Sequence, residues 1–148
     1  MGAINPDLEF ARAFFADPSP RAMRTSGLLK ALDAELVGYE RGKRELTMRF
    51  APGDVFRQGT GNIQGGAITA MLDFAMVLAA FAEIDAASTV STTTMTSSFY
   101  GPGTAREFTA VGRVEKPGRR LIFTSAELRA GERAIAGATS TLLVLPAG

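Results

Sequence analysis

The chain has 148 residues, of which 46% are hydrophobic, and a formal net charge of +1, values typical of one globular domain. It contains no histidine and no cysteine, which excludes a Ser-His-Asp triad, a cysteine nucleophile, a disulfide, and imidazole or thiolate metal ligands. With 21% charged residues of nearly balanced sign, the composition also disfavours a nucleic-acid partner. Carboxylates, hydroxyls, amides and backbone groups remain as the available chemistry.

The N-terminal segment is predicted to be helical. Asp7, Glu9 and Arg12 interrupt any apolar run, so we expect no signal peptide, and the predicted compartment is the cytoplasm. Apolar residues lie near one face of a helix over residues 2–15, which the sequence DPSP ends, and a further short helix is predicted over residues 21–32. We therefore expect a helical extension over residues 1–34 and one domain over residues 35–148.

Strand patterns dominate the remaining chain. Residues 35–41 and 43–50 predict a hairpin, with Leu46, Met48 and Phe50 on one face of its second strand. Strands are further predicted at residues 88–99, 106–116, 121–129 and 132–145, separated by the turn sequences GPG, KPGRR and AG. Consecutive strands joined by such turns predict a meander within one antiparallel sheet of about six strands.

A long apolar segment lies between the two groups of strands. Residues 65–82 approach the ~20 residues that span a bilayer, so a membrane helix is one alternative. The polar, glycine-rich entry GTGNIQGG, the central Asp73 and the lack of a second such segment favour a core helix over residues 66–81. Because a sheet of this size must bury its apolar face, we expect an α+β fold in which the sheet curls around this helix.

Asp73 is the only ionisable side chain in residues 58–82. Its neighbours include Met71, Leu72 and Met76, and burying an unpaired charge among such residues is costly. Asp73 is therefore the first candidate for an acid-base or nucleophilic group. The alternative is a structural carboxylate that backbone amides satisfy across an interface.

The order of strands around one helix, together with GNIQGGAITAMLDFA at the helix start and STTTMTSSFYGPG after it, resembles a known family. It is similar to the hot-dog-fold acyl-CoA thioesterases of the phenylacetyl-CoA (PaaI-like) branch, relatives of 4-hydroxybenzoyl-CoA thioesterase. In that family the helix begins with His-Gly-Gly, and an acidic residue follows nine positions after the histidine. Here Gln64, Gly65 and Gly66 occupy the first motif and Asp73 the acidic position, within a resemblance over roughly residues 35–145.

The resemblance implies a role for each matching residue. Asp73 corresponds to the carboxylate that attacks the thioester carbonyl or activates a water molecule, and both mechanisms stay open. Gly65 corresponds to the glycine whose backbone N–H polarises the thioester oxygen, a role that suits a helix N-terminus. Gly66 follows it in the motif, where both glycines also permit a tight entry turn. Gln58 occupies the position of an amide that helps to place water.

A hydroxyl that orients the water is also implied, on the strand after the helix. Ser91 matches it, with Thr92 as the candidate if the register differs by one. In a period-2 pattern Ser91 shares a face with Met95 and Phe99. We expect this face to look inward, which places Ser91 near the helix, although the Ser/Thr tract could also be merely a β-prone strand.

Gln64 departs from the family motif. Its amide donates a hydrogen bond but cannot carry a proton, so no proton shuttle is possible at this position. This favours, as an alternative to a thioesterase, a non-catalytic acyl-CoA or ligand-binding protein. A hot-dog hydratase or dehydratase is a third candidate, which the absence of histidine disfavours because those enzymes use one.

Weaker candidates for substrate binding lie in turns. Arg119 and Arg120 flank a Pro-Gly turn and could bind CoA phosphates, with a solvated turn as the alternative. Asn62 is either a substrate ligand or a local turn residue. The resemblance implies an acyl-CoA substrate, no cofactor and no metal, and a homodimer or dimer of dimers with each site between subunits. Nucleic acid and membrane are not expected partners.

Overall fold

The computed structural model describes residues 5–148. Within these residues the fold consists of three helices and seven strands, apart from short 3₁₀ turns. In chain order they are α1 (Pro6–Ala16), β1 (Arg21–Ala22), α2 (Gly27–Ala31), β2 (Glu35–Glu40), β3 (Glu45–Phe50), α3 (Gly65–Ala80), β4 (Ser88–Phe99), β5 (Phe108–Lys116), β6 (Leu121–Ala130) and β7 (Arg133–Pro146).

The sheet is antiparallel, and its strands lie in the order β1-β2-β3-β5-β6-β7-β4. Helix α3 packs against β3, β4, β5, β6 and β7, so the sheet curves around it. This is the predicted hot-dog fold, with the two-residue β1 as a seventh strand. The inward face of β3 is also confirmed, since Leu46, Met48 and Phe50 are fully buried.

The predicted four-strand meander was wrong. Of these four strands only β5, β6 and β7 are neighbours in chain order, whereas β4 pairs with β7 at the far edge of the sheet and β5 pairs with β3. Hydrophobic periodicity identifies strands but carries no information about which strands pair. The consequence matters for function, because β4 borders α3 with its outer backbone edge unpaired among the described residues.

The N-terminal predictions were partly correct. Helix α1 begins after Asn5, whose side-chain oxygen accepts hydrogen bonds from the amides of Asp7 and Leu8, and residues 2–4 of the predicted helix lie outside the described range. The predicted helix over residues 21–32 was wrong at its start, because Arg21–Ala22 pairs with β2. Ser26 caps α2, so that helix begins only at Gly27.

Gly65–Glu83, which is α3 and the 3₁₀ turn after it, has the length and hydropathy of a membrane span, the only such segment in the described part of the chain. Within the fold 56% of it is buried, as the core-helix prediction requires. The residues left half-exposed form a stripe along the helix, which includes Ala70, Asp73, Phe74 and Val77. The sheet therefore covers most of the helix but leaves this stripe accessible.

Gly112 of β5 lies directly against the backbone of helix α3. A Cβ at this position would lie 2.1 Å from the carbonyl oxygen of Ala75 and 2.4 Å from its carbonyl carbon. No real Cβ atom approaches another atom so closely, so glycine allows the strand to touch the backbone of α3.

We expect Gly112→Ala to lower the free energy of unfolding by about 3 kcal/mol, because a helix backbone cannot rotate away as a side chain can. Urea unfolding measures the effect. Gly38→Ala in β2 is the matched control, since a Cβ there would meet nothing within 4 Å. Equal unfolding midpoints for the two variants would contradict the close-approach explanation.

Candidate active site

The N-terminus of α3 presents free backbone donors. Gln64 is the N-cap residue, and its carbonyl oxygen accepts from the amides of Ala67 and Ile68 at 2.9 and 3.2 Å. The amides of Gly65 and Gly66 precede these two and donate to no acceptor among the described residues. Free N–H groups at a helix N-terminus, together with the helix dipole, form a site for a negatively charged oxygen.

The ring of Phe99 lies over this helix start. Two of its carbons are 3.6 Å from the position that a Cβ on Gly65 would occupy, and 52% of the Phe99 surface is exposed. Phe99 thus faces α3, as the strand pattern predicted. It lines the entrance to the free N–H groups rather than the core.

Asp73 lies on the third turn of α3 and is half-buried on the accessible stripe of the helix. Its Oδ1 accepts a hydrogen bond from Thr92 Oγ1 at 2.9 Å. Among the described residues no cation lies within salt-bridge distance of the carboxylate. The carboxylate is therefore oriented by a hydroxyl and is not engaged by a cation, as a group that acts on a bound substrate requires.

The predicted inward orientation of Ser91 was wrong. Thr93 is an extra residue in β4, because Thr92 pairs with Leu142 while Thr94 already pairs with Thr141. Such a β-bulge reverses the alternation of faces. The inward face is therefore even-numbered before the bulge and odd-numbered after it, so Thr92 points toward the helix, as the one-residue register alternative allowed.

The loop before α3 carries the remaining amide candidates. The backbone amide of Gln58 donates to the Asn62 carbonyl at 2.9 Å, and the amide of Gly61 donates to the Gln58 carbonyl at 2.8 Å, which closes a tight turn. Gly61 has a φ of 85°, in the region that favours glycine. The Gln58 and Gln64 side chains are exposed and Asn62 is half-buried. The backbone of this loop leads directly into α3, since Arg57 pairs with Ile63 and the amide of Gln64 donates to the Phe56 carbonyl.

Arg119 and Arg120 lie at the other end of the helix. Arg119 lines an open cleft of about 630 Å³ together with Glu83, Asp85 and Ser88, beyond the C-terminus of α3. Given 1.5 Å of rise per helical residue, this cleft is roughly 25 Å from Gly65. The structure does not bring the two arginines to the helix N-terminus, and the acidic neighbours weaken the attraction of Arg119 for a phosphate.

Gly65 and Asp73 also lie apart within one chain. They are about eight positions apart in the helix, which corresponds to about 12 Å along its axis. A thioester carbonyl needs its oxygen within hydrogen-bond distance of the N–H donor and its carbon near the attacking oxygen, about 3 Å in each case. One chain therefore does not place both groups on the same thioester.

Comparison with known proteins supports the resemblance. Residues 60–136, just over half of the chain, match the sequence profile of the Thioesterase superfamily. The chain belongs to the thioesterase superfamily. Comparison with curated protein sequences gives no match.

Solved structures share the whole fold of this thioesterase-superfamily chain. A phenylacetic acid degradation-related protein from Ralstonia eutropha JMP134 is 23% identical with a TM-score of 0.79, and the match covers 94% of this chain and 99% of that one. A thioesterase family protein from Silicibacter pomeroyi is 26% identical with a TM-score of 0.78, over 95% and 98% of the two chains. The E. coli PaaI protein from the phenylacetic acid degradation operon is 15% identical, with a TM-score of 0.74 and 98% coverage of each chain. The predicted family and hot-dog fold are confirmed.

The sequence interpretation missed one residue beside the site. Arg57 immediately precedes residues 58–82, in which Asp73 is the only ionisable side chain, and the Arg57 side chain is only 11% exposed. Its position as the last cation before that stretch was the only feature of the sequence that could have identified it. Cations in loops are usually solvated, so this feature alone does not predict burial.

Proposed function

We propose that this member of the thioesterase superfamily hydrolyses an acyl-CoA thioester to the free acid and CoA. Asp73 serves as nucleophile or general base, and the Gly65 N–H polarises the thioester carbonyl. The observation that carries the proposal is the hydrogen bond from Thr92 to Asp73, which fixes a carboxylate on the accessible stripe of α3. The reaction needs only water and groups of the chain, so we propose no cofactor and no metal. We also propose that the protein acts in the cytoplasm.

Two routes lead to the same products. As general base, Asp73 takes a proton from water while the water oxygen attacks the carbonyl carbon, and the C–S bond then breaks to release the CoA thiolate, which takes up a proton. As nucleophile, Asp73 itself attacks and forms an anhydride with release of the thiolate, and water then cleaves the anhydride. Both routes place negative charge on the carbonyl oxygen, which the free N–H groups at the start of α3 would stabilise.

We propose that the active unit is a homodimer or a dimer of dimers with shared sites. Two α3 helices related by a two-fold axis near Thr69, midway between Gly65 and Asp73, would bring the Gly65 N–H of one chain to Asp73 of the other. The unpaired edge of β4 supports this arrangement, because the free backbone N–H and C=O groups of a twelve-residue edge strand readily pair with a strand of another chain. The half-exposed apolar stripe of α3 would lie in the same interface.

Mixing two inactive variants tests the shared site. We expect Asp73→Asn and Gly65→Pro, which removes the N–H, each to be inactive as pure proteins. After subunit exchange, half of the dimers are mixed, and each has one site with both lesions and one intact site. About a quarter of wild-type activity should return. No recovery after exchange, or a fully active 15.6 kDa monomer by sedimentation, would contradict the arrangement.

Thr92 is expected to position the reacting carboxylate. Thr92→Val keeps the shape but removes the hydroxyl, and kcat/KM should fall by about 10- to 100-fold, since hydrogen bonds to charged groups contribute ~1.5–3 kcal/mol. Ser91→Ala is the matched control on the opposite face of β4 and should change the rate by less than about twofold. The role belongs to Ser91 instead if the two effects are reversed.

A panel of acyl-CoAs tests the function itself. Purified protein should release free thiol faster than its Asp73→Ala variant from at least one aromatic or aliphatic acyl-CoA. The alternative, a non-catalytic acyl-CoA or ligand-binding hot-dog protein, is favoured by Gln64, whose exposed amide cannot transfer a proton. Binding of acyl-CoA without thiol release would establish that alternative.

A further inference from the structure

Arg57 is a nearly buried cation that pairs mainly with backbone carbonyls. Its Nη1 donates to the carbonyl of Gly61 at 2.8 Å and to that of Thr104 at 3.4 Å, and its Nη2 donates to the carbonyl of Ala105 at 2.7 Å. The nearest carboxylate, Asp54 Oδ1, is 3.7 Å from Nε and belongs to an exposed side chain. The guanidinium is therefore placed to bind two pieces of backbone rather than to form a strong ion pair.

Those two pieces are the loop before α3 and the segment after β4. The backbone already joins them once, where the amide of Ile63 donates to the Gly103 carbonyl at 2.8 Å. The amide of Gln64 donates to the Phe56 carbonyl at 2.8 Å and closes the base of the loop. The Arg57 side chain adds further hydrogen bonds between the same two segments, and Arg57 is adjacent in sequence to Gln58.

We propose that Arg57 is a positioning residue, which holds the loop of residues 57–64 so that the free amides at the start of α3 and the Gln58 amide face the thioester. This inference rests on the proposed function for its catalytic consequence. Loss of the guanidinium would leave three carbonyls without their donor and release the loop from residues 104–105. A displacement of about 1 Å in a group that contacts the reacting atoms can cost ~10² in rate.

The test compares Arg57→Ala and Arg57→Lys with Arg106→Ala. Arg106 is the matched control, because it contacts the same Asp54 at 3.0 Å but its side chain is 81% exposed. We expect kcat of Arg57→Ala to fall about 10- to 100-fold with a smaller change in KM. Arg57→Lys should recover only part of the loss, since one ammonium cannot reach all three carbonyls. Arg106→Ala should behave as the wild type.

Two readouts separate positioning from a general structural role. Added guanidinium or methylguanidinium should restore part of the kcat of Arg57→Ala and leave the wild type unchanged. Hydrogen exchange should increase in residues 57–64 and 103–105 of Arg57→Ala, and not in β5–β7. Unchanged exchange in the loop, or a loss of kcat that follows global unfolding without rescue, would overturn the inference. The exchange result holds even if no acyl-CoA is hydrolysed, so failure of the proposed function is distinguishable.

Discussion

Asp73→Asn is expected to abolish most thioester hydrolysis while the fold is kept. The amide is nearly isosteric with the carboxylate and still accepts the hydrogen bond from Thr92, but it is neither a base nor a nucleophile. Removal of a general base typically costs ~10² to 10⁴ in rate, and removal of an essential nucleophile at least as much. Thiol release from acyl-CoA measures kcat, and a thermal melt serves as the control for folding.

The activity of Asp73→Asn distinguishes a catalytic from a structural role for this carboxylate. Wild-type turnover in a folded Asp73→Asn protein would show that the carboxylate is structural. A variant that binds acyl-CoA with near-normal affinity but does not turn it over would support the catalytic role. A variant that unfolds would be replaced by Asp73→Ser, which is smaller and can still hydrogen-bond in the same position.

Gly65→Pro is expected to lower kcat by about 10² to 10³, the effect of removing one donor that stabilises the developing oxyanion. Proline lacks the N–H, yet it is well tolerated at the first position of a helix. Gln64 is extended, with φ of −62° and ψ of 139°, which suits the residue before a proline. The substitution therefore removes the donor with little effect on α3.

Gly65→Ala is the control for the new side chain. A Cβ at this position lies 3.6 Å from the Phe99 ring, an ordinary van der Waals contact, and the N–H is retained. We expect Gly65→Ala to keep kcat within about fivefold of wild type. If both variants lose activity equally, crowding at Phe99 rather than loss of the donor explains the effect.

Local patterns in the sequence were sufficient to predict the main secondary-structure elements of the candidate site. The apolar stretch of residues 65–82 predicted the core helix. Its single ionisable residue, Asp73, was predicted to be a working group because burial of a lone charge is costly. The glycine-rich entry predicted the start of the core helix, and α3 begins at Gly65 without a side-chain cap; the role of its N–H came from the family resemblance. The alternation in residues 88–99 predicted β4 with its correct ends, and the inward direction of Phe99.

Features that depend on contacts between distant residues were beyond such patterns. The bulge at Thr93 arises from pairing with β7, and it exchanged Ser91 for Thr92 as the partner of Asp73. The hydrogen bonds from Arg57 to the carbonyls of Thr104 and Ala105 form only because the fold places residues 104–105 beside the loop. Gly112 is one of 16 glycines, and only its contact with the α3 backbone distinguishes it.

The sequence by itself determined which residues form helix α3 and the longer strands, and which carboxylate lies in the apolar stretch, because these follow from local hydrophobic periodicity and capping. Only the tertiary structure decided that β4 is an edge strand and that Thr92 rather than Ser91 contacts Asp73. Strand order and bulges depend on non-local contacts, and a one-residue change in register reverses every side chain that follows it.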